Sequence, residues 1–272
     1  MPEPIEKRLH DLRRLARSVA ERSYVPYSHR PTGVALLLSD GLWVPGVRVE
    51  SASFSLTIPA LLNAFTTAVA AGRPDVEAVV QSRPFEEGER AFMAHPPAGA
   101  FNLVAEDAFV IEDVVKLSED YGLLAPFLDA DPPETPEAGV GLAHEVTARA
   151  FIPASNFPVG CVLELTDGRL VPGVNVEHPD WTRILCAERN ALGTAVSYGL
   201  SGFRNLYLSC PKDPLGSPCG ACRQLIVEQA SELSVWMDRG EAPPDLAAPE
   251  DLLPGSFTGR ALRTPGDTRA DA

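Results

Sequence analysis

Cys186-Ala187-Glu188-Arg189 and Pro218-Cys219-Gly220-Ala221-Cys222-Arg223-Gln224 decide how this chain is read, with Cys219 lying 33 residues after Cys186. A Cys-x-x-Cys pair supplies two soft ligands from a single turn, and the lone Cys186 supplies a third. Three sulfurs suit Zn²⁺, which takes tetrahedral N/S ligation at about 2.3 Å to sulfur. Three protein ligands rather than four leave one corner for water, the arrangement of a catalytic zinc. Glu188, two residues past the first thiol, is a carboxylate placed to carry protons beside that water.

Outward from this stretch, strand and helix patterns alternate. Residues 140–150 read as a helix, 159–165 and 170–175 as strands joined at Asp167-Gly168, 182–198 as a helix, 203–209 as a strand, 220–230 as a helix and 234–237 as a strand. Such alternation predicts an α/β fold, a central sheet with helices on both faces. Cys186 and Glu188 then fall in or near the first turn of one helix, and Cys219 and Cys222 at the start of another. Helix N-termini favour anions, so both ends help the thiols ionise.

The same residues resemble the zinc nucleoside deaminase pattern, in which Cys or His, one residue and Glu are followed by Pro-Cys-x-x-Cys. The wording Cys-Ala-Glu-Arg-Asn-Ala and Pro-Cys-Gly-Ala-Cys-Arg-Gln is similar to cytidine deaminase in particular. So are Asn156-Phe157-Pro158-Val159-Gly160 upstream and Leu252-Leu253-Pro254-Gly255-Ser256-Phe257 near the end, so the resemblance covers roughly residues 140–257. It implies a three-layer α/β/α fold and one zinc per chain on Cys186, Cys219 and Cys222. It implies hydrolytic deamination of cytidine or 2'-deoxycytidine to the uridine, as in pyrimidine salvage, with Glu188 as proton shuttle. It further implies Arg189 hydrogen-bonding a thiolate, Asn175 and Glu177 holding a ribose hydroxyl, and Phe157 packing on the base. His178-Pro179-Asp180-Trp181 stands where the family usually has Asn-Ala-x-Tyr, a departure that leaves a modified cytosine nucleoside open as substrate.

The first half repeats the second. Adding 127 to Arg22, Ser28, Gly33, Asp40-Gly41, Pro45-Gly46-Val47, Glu50, Asn63-Ala64, Thr67-Ala68-Val69 and Gly72 reproduces the same residue types without a gap. The pattern predicts a helix over 5–23, strands over 33–38, 42–49 and 76–81, and helices over 58–71 and 118–128. A shorter offset of 121 sets Ala98 and Phe101 against Cys219 and Cys222. The chain is a tandem duplication, expected as a degenerate domain over 1–130, an acidic, proline-rich linker over 131–138 and a catalytic domain over 139–272. Pro59 stands for Cys186, Leu61 for Glu188, Arg48 for Asn175 and Arg30 for Phe157, so the first copy is expected to hold neither zinc nor nucleoside. Single-copy relatives are similar to tetramers that share site residues across subunits, so a duplicated chain is expected to form a homodimer.

Composition narrows the partners. The 272 residues are 45% hydrophobic and 22% charged, with a net charge of −14. Acidity disfavours a polynucleotide partner. No apolar run approaches the ~20 residues of a membrane span, and the charged start lacks the apolar core of a secretory signal, so a cytoplasmic protein is expected. All five cysteines lie in the second half, an odd count that suits metal in a reducing compartment. Cys161 and Cys210 read as inert buried thiols, and His10, His29, His95 and His144 as solvated or structural. A competing reading, a zinc-stabilised module without turnover, requires a fourth protein ligand, with His178 the nearest candidate.

Overall fold

The computed structural model describes residues 3–114, 116–118, 122–259 and 262. Helix α1 (Glu3–Ala20) comes first, and Leu9, Leu12, Ala16 and Val19 recur on one face and are buried. Strands β1 (Gly33–Leu38) and β2 (Leu42–Val47) turn at Asp40-Gly41, where Gly41 takes φ 87°. Then follow α2 (Ala60–Ala70), β3 (Val76–Gln81), α3 (Glu87–Phe92), β4 (Phe101–Ala105), β5 (Ala108–Ile111) and β6 (Gly122–Leu123). They form a sheet in the order β4-β5-β3-β1-β2-β6, with β2 and β6 parallel and the other pairs antiparallel.

The second half begins with α4 (Pro136–Val146), whose N-cap Thr135 accepts a hydrogen bond from the Ala138 N–H at 3.3 Å. It continues with β7 (Gly160–Leu165), β8 (Leu170–Val174), α5 (Ala187–Tyr198), β9 (Phe203–Ser209), α6 (Gly220–Gln229), β10 (Ser234–Arg239), β11 (Ala242–Ala247) and α7 (Pro249–Leu252). The order is β11-β10-β9-β7-β8. Helix α6 is the crossover that makes β9 and β10 parallel.

The two halves meet through α2 and α5, which pack on each other between the sheets while α1 and α4 cover the outer faces. One apolar cluster runs through both halves, from Leu9, Leu36 and Phe65 to Cys161, Ala191 and Leu225. Each large side chain removed from water there contributes about 1.5–3 kcal/mol before entropy is counted.

Three expectations fail. The helix expected over 118–128 does not form in its described part: Gly122–Leu123 pairs with β2, Pro126 follows, and Leu128 N–H bonds to Leu170 O at 2.9 Å. Residues 119–121 lie outside the described residues. The 121-residue offset also fails, because Phe101 opens strand β4 whereas Cys222 sits inside helix α6. After β3 the described residues of the first half form the six-residue α3, a β4–β5 hairpin with β5 antiparallel to β3, and the two-residue β6. The repeat thus holds from α1 to β3 and then diverges. The stretch expected as a linker also ends early, since α4 begins at Pro136.

Candidate active site

Cys186 is the N-cap of α5 and Cys219 the N-cap of α6, both with extended backbone and neither thiol spent on capping. Pro218 disfavours αR for Ser217, which keeps the chain extended on its way into α6. Cys222 lies one turn into α6 and is buried, while Cys219 is exposed and Cys186 intermediate. The start of α5 is held hard against β8: a Cβ on Gly173 would lie 2.1 Å from Ala187 O. Glycine at that position lets the first turn, with Cys186 and Glu188, sit on the sheet.

The three sulfurs converge. Cys186 Sγ and Cys219 Sγ are 3.7 Å apart, Cys219 Sγ and Cys222 Sγ 3.5 Å, and all three ligand atoms lie within 4.8 Å of one another. A tetrahedral zinc at about 2.3 Å from each sulfur needs sulfurs roughly 3.8 Å apart, so the cluster fits the metal. Hydrogen bonding with Cys186 and Cys222 pushes the Cys219 thiol down to about 2, and the Cys222 and Ala221 backbone N–H groups add to this. The same bonding pushes Cys186 up to about 12 and Cys222 upward too. A cation bound among them draws off the thiol protons, because only thiolates ligate it.

Glu188 is 3% exposed. Burial pushes its carboxyl up to about 7; the Cys219 charge adds to the rise, while backbone N–H at the helix start, a Cys222 hydrogen bond and Arg189 oppose it. Arg189 is not bonded to a thiolate as expected. Its Nη2 donates to Leu56 O of the first half at 2.8 Å, and its buried Nε has no hydrogen-bond partner among the described residues. The first half supplies a backbone acceptor that sequence alone does not place there.

Phe157, Asn175 and Glu177 form a second group. Asn175 donates to Phe157 O at 2.9 Å and accepts from Val159 N–H at 2.8 Å. Glu177 Oε2 accepts from the N–H of Ala154 at 2.8 Å and of Ser155 at 3.1 Å. Val176 pairs antiparallel with Leu185, and that register sets Asn175 opposite Cys186. His178 is turned away from the sulfurs: its Nδ1 accepts from Asp180 N–H at 3.0 Å, its Nε2 reaches Phe92 O at 3.3 Å, and its ring stacks on Phe92 at 5.2 Å. Among the described residues the metal-ligating cluster has three members and no fourth.

Burial pushes Cys161 upward and Cys210 up to about 12, as inert thiols behave. Phe257 is 53% exposed rather than core. A cavity of about 350 Å³ lies elsewhere, between α4 and the ends of β9 to β11, lined by Glu137, His144, Cys210 and Asp238 among others.

Two zinc-binding family models match this chain, both described as the cytidine and deoxycytidylate deaminase zinc-binding region, over residues 3–90 and 133–237. A cytidine deaminase of Sporosarcina psychrophila is 36% identical over 111 residues, 40% of this chain and 82% of that protein. The chain belongs to the cytidine deaminase family. A cytidine deaminase of Mycobacterium tuberculosis is 40% identical over 121 residues, 43% of this chain and 85% of that protein. The crystal structure of cytidine deaminase from Burkholderia pseudomallei aligns at 32% identity and TM-score 0.43, over 45% of this chain and 99% of that one. The two matched regions lie one in each half, so this cytidine deaminase family member carries the unit twice, in line with the duplication read from its sequence. Zinc is the family's metal, and the three-thiol cluster has the chemistry and spacing to hold it.

The equivalent region of the first half is built differently. Pro59 is the N-cap of α2 and Leu61 is 1% exposed. Phe65 packs edge-on against Phe92 at 5.4 Å and Phe101 at 6.1 Å. Glu50 keeps the cradle of Glu177, accepting from Tyr27 and Ser28 N–H at 3.1 and 3.0 Å, but Arg48 Nε also donates to it at 2.9 Å.

Proposed function

We propose that this protein catalyses hydrolytic deamination of cytidine and 2'-deoxycytidine to uridine and 2'-deoxyuridine, a pyrimidine salvage reaction. The observation that carries this reading is the three-sulfur cluster at tetrahedral spacing with the buried Glu188 against it. Zinc, when bound by Cys186, Cys219 and Cys222, supplies Lewis-acid chemistry that lowers the pKa of water from about 15.7 to about 7.

The chain's own residues do the rest. Glu188 takes a proton from water and gives it to N3 of the base as the water oxygen bonds to C4. The remaining O–H proton passes through the same carboxylate to the amino group, the C4–N bond breaks and ammonia leaves. A carboxyl raised by burial toward neutral is suited to both directions of transfer. Asn175 retains one amide N–H and Glu177 its remaining lone pairs for the sugar hydroxyl. Phe157, whose carbonyl accepts from Asn175, packs against the base.

The first half acts as an inactive partner. Its positions for thiol and carboxylate carry Pro59 and Leu61, phenyl rings fill the space behind them, and Arg48 consumes Glu50. Residues 1–130 and 139–272 are the two domains of this reading. The chain works as a homodimer. Phe54 and Trp181 support this: they occupy equivalent repeat positions and are 77% and 84% exposed, an arrangement suited to a self-complementary interface. The free cysteines suit a cytoplasmic location, and the net charge of −14 argues against a nucleic-acid partner.

The test is loss of cytidine absorbance on mixing with the zinc-loaded protein, with Glu188→Ala as control and 2'-deoxycytidine and a polynucleotide as rival substrates. Equal rates for the parent and Glu188→Ala, or turnover of the polynucleotide alone, would remove the proposal.

A further inference from the structure

Helix α6 carries Cys222 and, one and a half turns later, Glu228. That carboxylate is occupied by the other half of the molecule: Oε1 accepts from Ser51 Oγ at 2.9 Å and Oε2 from Ala52 N–H at 3.0 Å. Gln224, one turn earlier and 8% exposed, donates to Glu228 Oε1 and to Phe257 O, the latter at 2.7 Å. Ser51 and Ala52 are buried, and the tail returns onto the same loop, since a Cβ on Gly259 would fall 2.6 Å from Ala52 Cβ. Five residues along, Leu56 O receives Arg189 Nη2 at 2.8 Å. The loop 51–56 is thus tied at one end to the helix bearing Cys222 and at the other to the residue following Glu188.

We infer that Glu228 is a positioning residue for the deamination: it latches the first half's loop 51–56 onto α6, and through Leu56 the loop fixes the Arg189 guanidinium, whose charge acts on Glu188. The inference rests on the proposed function for its kinetic consequence and on the zinc cluster for its structural one. A guanidinium 9% exposed loses its aim when its acceptor moves, and three thiolates around Zn²⁺ carry a net negative charge that a nearby fixed cation offsets. The latch runs one way, because among the described residues the first half has no counterpart of α6. This gives the inactive half a task in the reaction: it supplies a rigid acceptor to the active one.

The test uses the full-length, zinc-loaded protein with Glu228→Ala, Glu228→Gln and Ser51→Ala. Three quantities are measured: kcat and KM for cytidine per bound zinc, the rate of zinc release to a chromogenic chelator, and the thermal midpoint. The expected result for Glu228→Ala is a roughly tenfold fall in kcat per zinc, with KM changed less, and faster zinc release. Glu228→Gln, which keeps one carbonyl acceptor, recovers most of both; Ser51→Ala, which keeps the Ala52 bond, falls between. A Glu228→Ala protein with kcat, KM and zinc release all within twofold of the parent overturns the inference, whatever its thermal midpoint. If Glu228→Ala does not fold, Ser51→Ala decides by the same limits. A parent that binds zinc but leaves cytidine unchanged sinks the proposed function instead, and zinc release alone then judges the latch.

Discussion

The hydroxyls of Thr67 and Thr194 meet at 2.8 Å, each residue bonded to its own counterpart 127 positions away. A local two-fold axis therefore passes between α2 and α5. Neighbouring bonds obey it: Arg22 donates to Ser197 O at 3.0 Å and Arg149 to Ala70 O at 2.8 Å. Asn63 reaches Val47 O and Gly193 O, while Asn190 reaches Val174 O and Thr66 O. This is the isologous geometry of a homodimer interface, here within one chain. Truncating Asn63 to Ala strands buried carbonyls in the middle of it. Urea unfolding should show a loss on the order of 1–3 kcal/mol as a lower midpoint at unchanged slope; an unmoved midpoint would mean the contact contributes nothing.

Glu188→Gln keeps the size of the side chain and removes its proton chemistry. Metal analysis should still find one zinc per chain, while the rate on cytidine falls about 10²–10⁴-fold. Loss of zinc together with activity would show instead that Glu188 helps hold the metal.

Zinc removal should lower stability as well as activity, because a ligand that binds only the folded state stabilises it, by about 2.7 kcal/mol at a hundred times its dissociation constant. Calorimetry before and after dialysis against a chelator measures this, and added zinc should restore both properties. Cys222→Ala should abolish the zinc-dependent shift. A zinc equivalent still bound tightly by that variant would point to a site elsewhere in the chain.

Acid stability should depend on Asp75. Arg73 donates to it through Nε at 2.9 Å and Nη2 at 2.8 Å, and this bonding holds its carboxyl well below the usual carboxylate range, with Ser39 assisting and burial opposing. A carboxylate depressed in the folded state contributes stability that is present above its unfolded pKa, about 3.9, and is lost as pH falls through the folded value. Asp75→Asn should therefore lower the midpoint at neutral pH and flatten its decline below about pH 4. Parallel curves for the two proteins would rule the pair out as a source of acid sensitivity.

Phe54→Asp and Trp181→Asp together should convert a dimer to a monomer in sedimentation velocity. Both rings are exposed, so the fold should survive, with far-ultraviolet circular dichroism unchanged. A parent that sediments as a monomer removes the homodimer.

The sequence by itself picked out the three thiols that the fold brings together, and the repeat. Metal chemistry is local: thiols, a carboxylate and their spacing on two helix starts are written in the chain, and a fixed offset of 127 shows the duplication wherever packing has kept the same residue types. β1, β3 and β9 were likewise legible to the residue, because short apolar runs bounded by turn residues are a local signal. Only the tertiary structure decided what crosses between halves. That Arg189 turns to Leu56, that Glu228 holds Ser51 and Ala52, and that His178 stacks on Phe92 rather than facing the sulfurs depend on residues tens to more than a hundred positions apart. The divergence after β3 was hidden for the same reason. A short motif such as Pro97–Phe101 can be slid onto Pro218–Cys222, but whether it becomes a strand or a helix is settled by the sheet and core that receive it.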